Sequence, residues 1–197
     1  MLCSFSRVFA ESPDEPTRNS GVVRVSSTED FEVTGNGRHK AWVDVEWTSI
    51  PPKTRDGLPY ETRFKILYSA SGLYVLFDGT DKLLTTTGRK DFDDLWEEDV
   101  FEVFLWTDES QPVYFEYEIS PLAHELPILV PNFDGKYLGW RPWHYEGSRK
   151  TRKATAVTGG KKECQAAIRG WSAEVFIPYK LLEPLKNVPP QPGTKWR

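Results

Sequence analysis

Apolar and polar positions alternate along this chain in short runs. From Val100 to Trp106, the residues Val100, Glu102, Phe104 and Trp106 fall on one side and Phe101, Val103 and Leu105 on the other. From Val113 to Ser120, Tyr114, Glu116, Glu118 and Ser120 share a side, opposite Val113, Phe115, Tyr117 and Ile119. The polar Thr-Asp-Glu-Ser-Gln-Pro between the runs predicts a hairpin. A second hairpin is predicted from Thr62–Ser69 and Leu73–Asp78 around the turn signal Ser71-Gly72. Further strands are expected at Val22–Val25, Trp42–Trp47, Lys153–Val157, Cys164–Arg169 and Trp171–Ile177, and about one helical turn after Pro178. Residues 121–150 read as irregular. No segment sustains a 3.6-residue apolar period. The pattern is that of an all-β domain, a two-sheet antiparallel β-sandwich of jelly-roll or immunoglobulin-like type with little helix. Residues 1–20 lack periodicity and read as a tail, leaving 21–197 as one sandwich domain.

At 197 residues the chain can bury a core without disulfide or metal staples. Its net charge of −4 argues against nucleic acid as a partner. Cys3 and Cys164 form neither a disulfide framework nor a zinc-ligand pair. No apolar run reaches the roughly 18 residues that span a bilayer, so membrane insertion is not expected. The opening Met1–Ala10 is too short and mixed for a signal peptide, which leaves a cytosolic chain or a signal encoded upstream. Eight tryptophans, within 14 % aromatic residues, exceed what a core needs. Some are therefore candidates to face a ligand with flat apolar surfaces.

Chemistry concentrates between Asp91 and Asp99, where six of nine residues are acidic and Trp96 stands among them. A charge run is often only a solvated loop, but an indole in such a loop needs something to pack or stack on. Carboxylates accept hydrogen bonds from sugar hydroxyls and also suit Ca²⁺, so a structural calcium is permitted although no calcium-loop spacing is present and no cofactor is required. On the next strands, Glu102, Glu116 and Glu118 gather on one sheet face. They are either a polar binding face or a plain solvent face partnered by Arg63 and Lys65. Paired acids also allow a glycoside hydrolase reading, with neither separation nor pKa fixed by the sequence. His39, His124 and His144 have no metal-ligand spacing.

The strings Leu73-Tyr-Val-Leu-Phe-Asp78, Leu95-Trp-Glu-Glu-Asp-Val-Phe-Glu-Val-Phe-Leu105, Tyr114-Phe-Glu-Tyr-Glu-Ile-Ser-Pro121 and Gly170-Trp-Ser-Ala-Glu-Val-Phe-Ile-Pro178 together resemble the family 9 carbohydrate-binding modules, over Phe64 to the end. The resemblance implies a DOMON-like sandwich that binds a sugar or glycan end without catalysis, in an extracellular or periplasmic setting beside a glycoside hydrolase. It implies that Trp96 is one of two stacking tryptophans and that Glu102 accepts sugar hydroxyl hydrogens. Glu118 and Ser120 fall on the family's ligand strand, where its members carry a basic residue and an amide. The family continues beyond the Pro-Gly-Thr-x-Trp-Arg string with further strands and its second tryptophan. The expectation is therefore of a truncated domain, with Trp140 or Trp143 as the second wall. Haem binding, known in the wider DOMON-like group, would here require two histidines.

Overall fold

The computed structural model describes residues 21–55, 58–87 and 89–197, with side chains described outside 52–59. The expected tail and Cys3 lie outside the described residues. In chain order the strands are β1 (Ser26–Ser27), β2 (Thr48–Arg55), β3 (Leu58–Tyr68), β4 (Gly72–Thr80), β5 (Phe101–Leu105) and β6 (Val113–Ile119). They continue with β7 (Glu125–Phe133), β8 (Lys136–Tyr137), β9 (Arg141–Pro142), β10 (Arg152–Thr158) and β11 (Gly170–Pro178), followed by a single helical turn, α1 (Tyr179–Leu182).

Two sheets form. The first runs β1-β3-β4-β11-β10 with β2 also on β3, and the second runs β5-β6-β7-β8 with β9 also on β7. Apart from the short parallel β1–β3 pair, every pairing is antiparallel. Both expected hairpins are present, as β3–β4 and β5–β6. At the first, Gly72 is required sterically, because a Cβ there would lie 2.4 Å from the Ile177 carbonyl oxygen.

The sandwich core lies between the sheets. Leu73, Val75 and Phe77 of β4 and Trp171, Ala173, Val175 and Ile177 of β11 meet Phe101, Leu105, Phe115, Tyr117 and Ile119 from the second sheet. Phe101 stacks on Trp171 at 3.9 Å between ring centroids. A second cluster covers the outer side of the first sheet, where Phe31 and Trp42 pack on Leu67, Tyr74, Leu76 and Phe176. Strand β4 is thus buried on both faces, which is why it reads as an almost unbroken apolar run. A third cluster covers the outer side of the second sheet and holds Leu95, Leu126, Ile128 and Val130.

Four local expectations fail for identifiable reasons. Residues 42–47 form no strand. Lys40–Trp42 is a 3₁₀ turn capped by His39, whose Nδ1 accepts the Ala41 amide at 3.3 Å. Trp42 is driven into the outer cluster, where its Nε1 donates to buried Glu174 at 2.6 Å. Residues 164–169 contribute only the bridge Leu83–Ala167, and Val22–Val25 has no strand pairing. Conversely, the stretch read as irregular contains β7, the nine-residue partner of β6. Its two prolines masked it, yet both are placed where proline is tolerated. The Pro127 carbonyl accepts the Trp143 amide and the Pro131 carbonyl accepts the Leu138 amide. In an antiparallel strand a residue's N and C=O point the same way, so both proline nitrogens face away from β6, toward the side carrying only short β8 and β9.

Candidate functional site

The acidic segment is mostly a structural device. Asp99 Oδ2 accepts the Thr85 amide at 2.5 Å while the Asp99 amide donates to the Thr85 carbonyl at 3.0 Å, which closes the loop over residues 85–99 at its base. Arg89 binds both Glu97 and Glu98, and Glu98 also accepts the Thr87 amide at 2.9 Å. Asp91 pairs with Lys153 at 2.7 Å. The same lysine reaches fully buried Glu125 at 2.8 Å, which also accepts the hydroxyls of Tyr117, Tyr145 and Thr151. Leu95, 1 % exposed, drops from a 3₁₀ turn (Leu95–Glu97) into the cluster on the outer face of the second sheet. Trp96 is thereby turned outward, 41 % exposed.

Trp96 meets Trp140 edge to face, with ring centroids 5.4 Å apart. The two indoles, Tyr137, Ile128, Glu116 and Glu118 line a cleft of about 280 Å³. That is near the lower end for small-molecule sites, roughly 300–1,000 Å³, and suits one ring better than a long chain. Its floor is the outer face of β6 and β7, with β5 alongside. Glu102 lies directly opposite Glu118 across the β5–β6 ladder, and Phe104 opposite Glu116. Carboxylate oxygens of Glu102, Glu116 and Glu118 all fall within 4.8 Å of one another. Of the described residues these three are the group that could hold a metal ion.

Such crowding perturbs the acids. Burial, then the charge of Glu102, raises Glu116 to about 7. Burial, then Glu102, Glu116 and Asp94, raises Glu118 to about 8, against a lowering hydrogen bond from the Trp96 backbone N–H. Glu118 is 1 % exposed and its Oε2 has no hydrogen-bond partner. The basic partners considered for these acids are occupied elsewhere: Arg63 pairs with Asp78 at 2.8 Å, and Lys65 Nζ donates to the Trp42 carbonyl at 2.7 Å.

The structure therefore brings together Trp96, Trp140, Glu102 and Glu118, and adds Glu116 in register with them. It does not bring in Ser120 or Trp143. Ser120 is buried in the β6–β7 turn, where its amide donates to the His124 carbonyl at 2.9 Å and its hydroxyl accepts the His124 amide at 3.2 Å. Trp143 packs against the sandwich core, its Nε1 donating to the Leu181 carbonyl at 2.8 Å and its ring under Arg149. The histidines are engaged separately: His39 stacks on Phe31, His124 faces Asp91 at 3.8 Å, and His144 tilts against Phe92. Tyr137 and Ile128 were not foreseen. Ile128 sits in the strand that prolines disguised, and Tyr137, in two-residue β8, belongs to no periodic pattern.

Residues 33–125 match the family described as carbohydrate family 9 binding domain-like. Over that span the chain is similar to the family 9 carbohydrate-binding domains. The matched span includes Trp96 and the three cleft glutamates; Trp140 and Tyr137 lie beyond it. Among solved structures, the chain is similar to a candidate carbohydrate-binding protein from Bacteroides uniformis, with a TM-score of 0.62 and 12 % identity over 82 % of this chain and 74 % of that one. A family 9 carbohydrate-binding module from Caldicellulosiruptor kristjanssonii, solved with cellotriose, aligns with a TM-score of 0.49 and 15 % identity, covering 79 % of this chain and 67 % of that one. By sequence, the chain is 25 % identical over 147 residues to a protein from Arthroderma benhamiae called an extracellular protein, and it spans 60 % of that relative's length.

Proposed function

We propose that the family 9-like domain binds carbohydrate without catalysis, at the cleft between Trp96 and Trp140. One observation carries the reading. Two partly exposed indoles wall a ring-sized cleft lined by Glu116 and Glu118, with the Glu102 carboxylate within 4.8 Å of theirs. Indole faces suit the C–H faces of a pyranose, and carboxylates accept its hydroxyl hydrogens in charge-assisted bonds. Glu102 and Glu118 are the acceptors on the floor, joined by Glu116. The family description supports the substrate class, and the relative called an extracellular protein supports action outside the cell.

A small buried area predicts modest affinity, on the order of micromolar to millimolar. Calorimetric titration with glucose, cellobiose and xylobiose tests the reading, together with retention of Trp96→Ala on immobilised polysaccharide. Binding that weakens in the variant supports it. Absence of binding to every sugar, with retention unchanged by the substitution, refutes it. The raised acids Glu116 and Glu118 also give the hydrolase reading a concrete form. Against it, all three acids rise from one sheet floor instead of flanking a bond from two sides. Reducing-sugar release that disappears in Glu102→Gln or Glu118→Gln would establish hydrolysis.

A further inference from the structure

Three acidic side chains held this close set a condition on what the cleft accepts. Glu102 and Glu118 are direct cross-strand neighbours, an arrangement that costs stability when both are charged. Glu116 shares their face, and Asp94 acts on Glu118 from the loop above. The charges that act most strongly on Glu118 are all negative. Its Oε2 is sealed from solvent and unpartnered within the protein, although the side chain belongs to the cluster facing the cleft. A neutral sugar offers single hydroxyl donors and does nothing to offset the repulsion that ionising these neighbouring acids brings. A cationic group with several donors matches it better.

Resting on the carbohydrate reading, we infer that the cleft selects sugars bearing a protonated amino group, as in glucosamine and its β-linked oligomers. The geometry suits an ammonium. Three acceptors taking N⁺–H···O⁻ bonds of about 2.8 Å in tetrahedral directions lie about 4.6 Å apart, and the three carboxylates already sit within 4.8 Å. The indoles of Trp96 and Trp140 complete the fit, since a cation beside an indole face is attracted by the ring quadrupole while the sugar ring stacks. A bare divalent ion would use the carboxylates but give the aromatic walls no role.

Calorimetry on the full chain near neutral pH, with glucosamine, N-acetylglucosamine and glucose, tests this. Glucosamine should bind about tenfold or more tighter than glucose, the difference expected for hydrogen bonds to a charged group. N-acetylation, which removes the charge, should abolish the advantage without any change to the protein. Glu116→Gln should shrink it, and added salt should weaken glucosamine more than glucose. Glucose binding as tightly as glucosamine would overturn the inference and leave the carbohydrate reading intact. Binding of neither sugar would overturn both. Glucose binding strengthened by added calcium chloride to the level of glucosamine would assign the acids to a metal ion and overturn the amino-sugar inference.

Discussion

Replacing Glu118 with Gln should stabilise the protein at alkaline pH and leave it nearly unchanged at acid pH. In the folded chain Glu118 is raised from 4.5 to about 8, first by burial and then by Glu102, Glu116 and Asp94. A carboxyl raised on folding contributes its full stability below the unfolded value of 4.5, and that contribution fades as pH climbs through about 8. Above that pH, wild-type Glu118 carries a charge facing Glu102 across the ladder, with Glu116 beside it. Gln keeps the shape, removes the charge and adds a donor for its neighbours. Cross-strand like charges cost roughly 0.2–1 kcal/mol per pair, and with Glu116 adding a second like charge from the same strand the total is about 1 kcal/mol. For a domain of this size that corresponds to a rise in Tm of about 2–4 °C. Thermal melts of both proteins at pH 5 and pH 9, in buffer containing a chelator, read the effect directly. Equal gains at both pH values would refute the reasoning, as would a loss at pH 9, because either would show that the three carboxylates do not repel one another.

Other consequences concern the supports of the cleft. Leu95→Ala, although in an acidic loop, should cost about 2–5 kcal/mol in chemical denaturation, because the side chain is 1 % exposed inside an apolar cluster. Trp42→Phe should destabilise by about 1–3 kcal/mol, since it removes the indole donor from fully buried Glu174. Ser120→Ala should leave sugar affinity within twofold of wild type in calorimetry, because its hydroxyl serves the β6–β7 turn.

The β5–β6 register was legible because alternating side chains leave no freedom in which residues share a face. The alternation that put Glu102, Glu116 and Glu118 together needed only a hairpin to become a site. Trp96 was legible as an indole with no evident packing partner, and it stands outward because Leu95 beside it points inward. The same rule misled at residues 42–47, where Trp42 is anchored to Glu174, a contact 132 residues distant in sequence. Strand β7 was hidden by Pro127 and Pro131, whose tolerance depends on which strand edge they face, and single-strand patterns do not carry that information. Reading the acidic run as ligand oxygens failed for a related reason. Its partners Thr85, Arg89 and Lys153 come from outside the run, and only the folded loop shows that most of these carboxylates are already engaged.

The cleft itself can be tested by following the eight indole N–H resonances in a ¹H–¹⁵N spectrum during titration with glucosamine and cellobiose. Trp96 and Trp140 should shift together and saturably, while Trp42 and Trp143, each bonded inside the fold, stay in place. Saturable sugar binding that leaves Trp96 and Trp140 unmoved would contradict the account and place the site elsewhere on the sandwich.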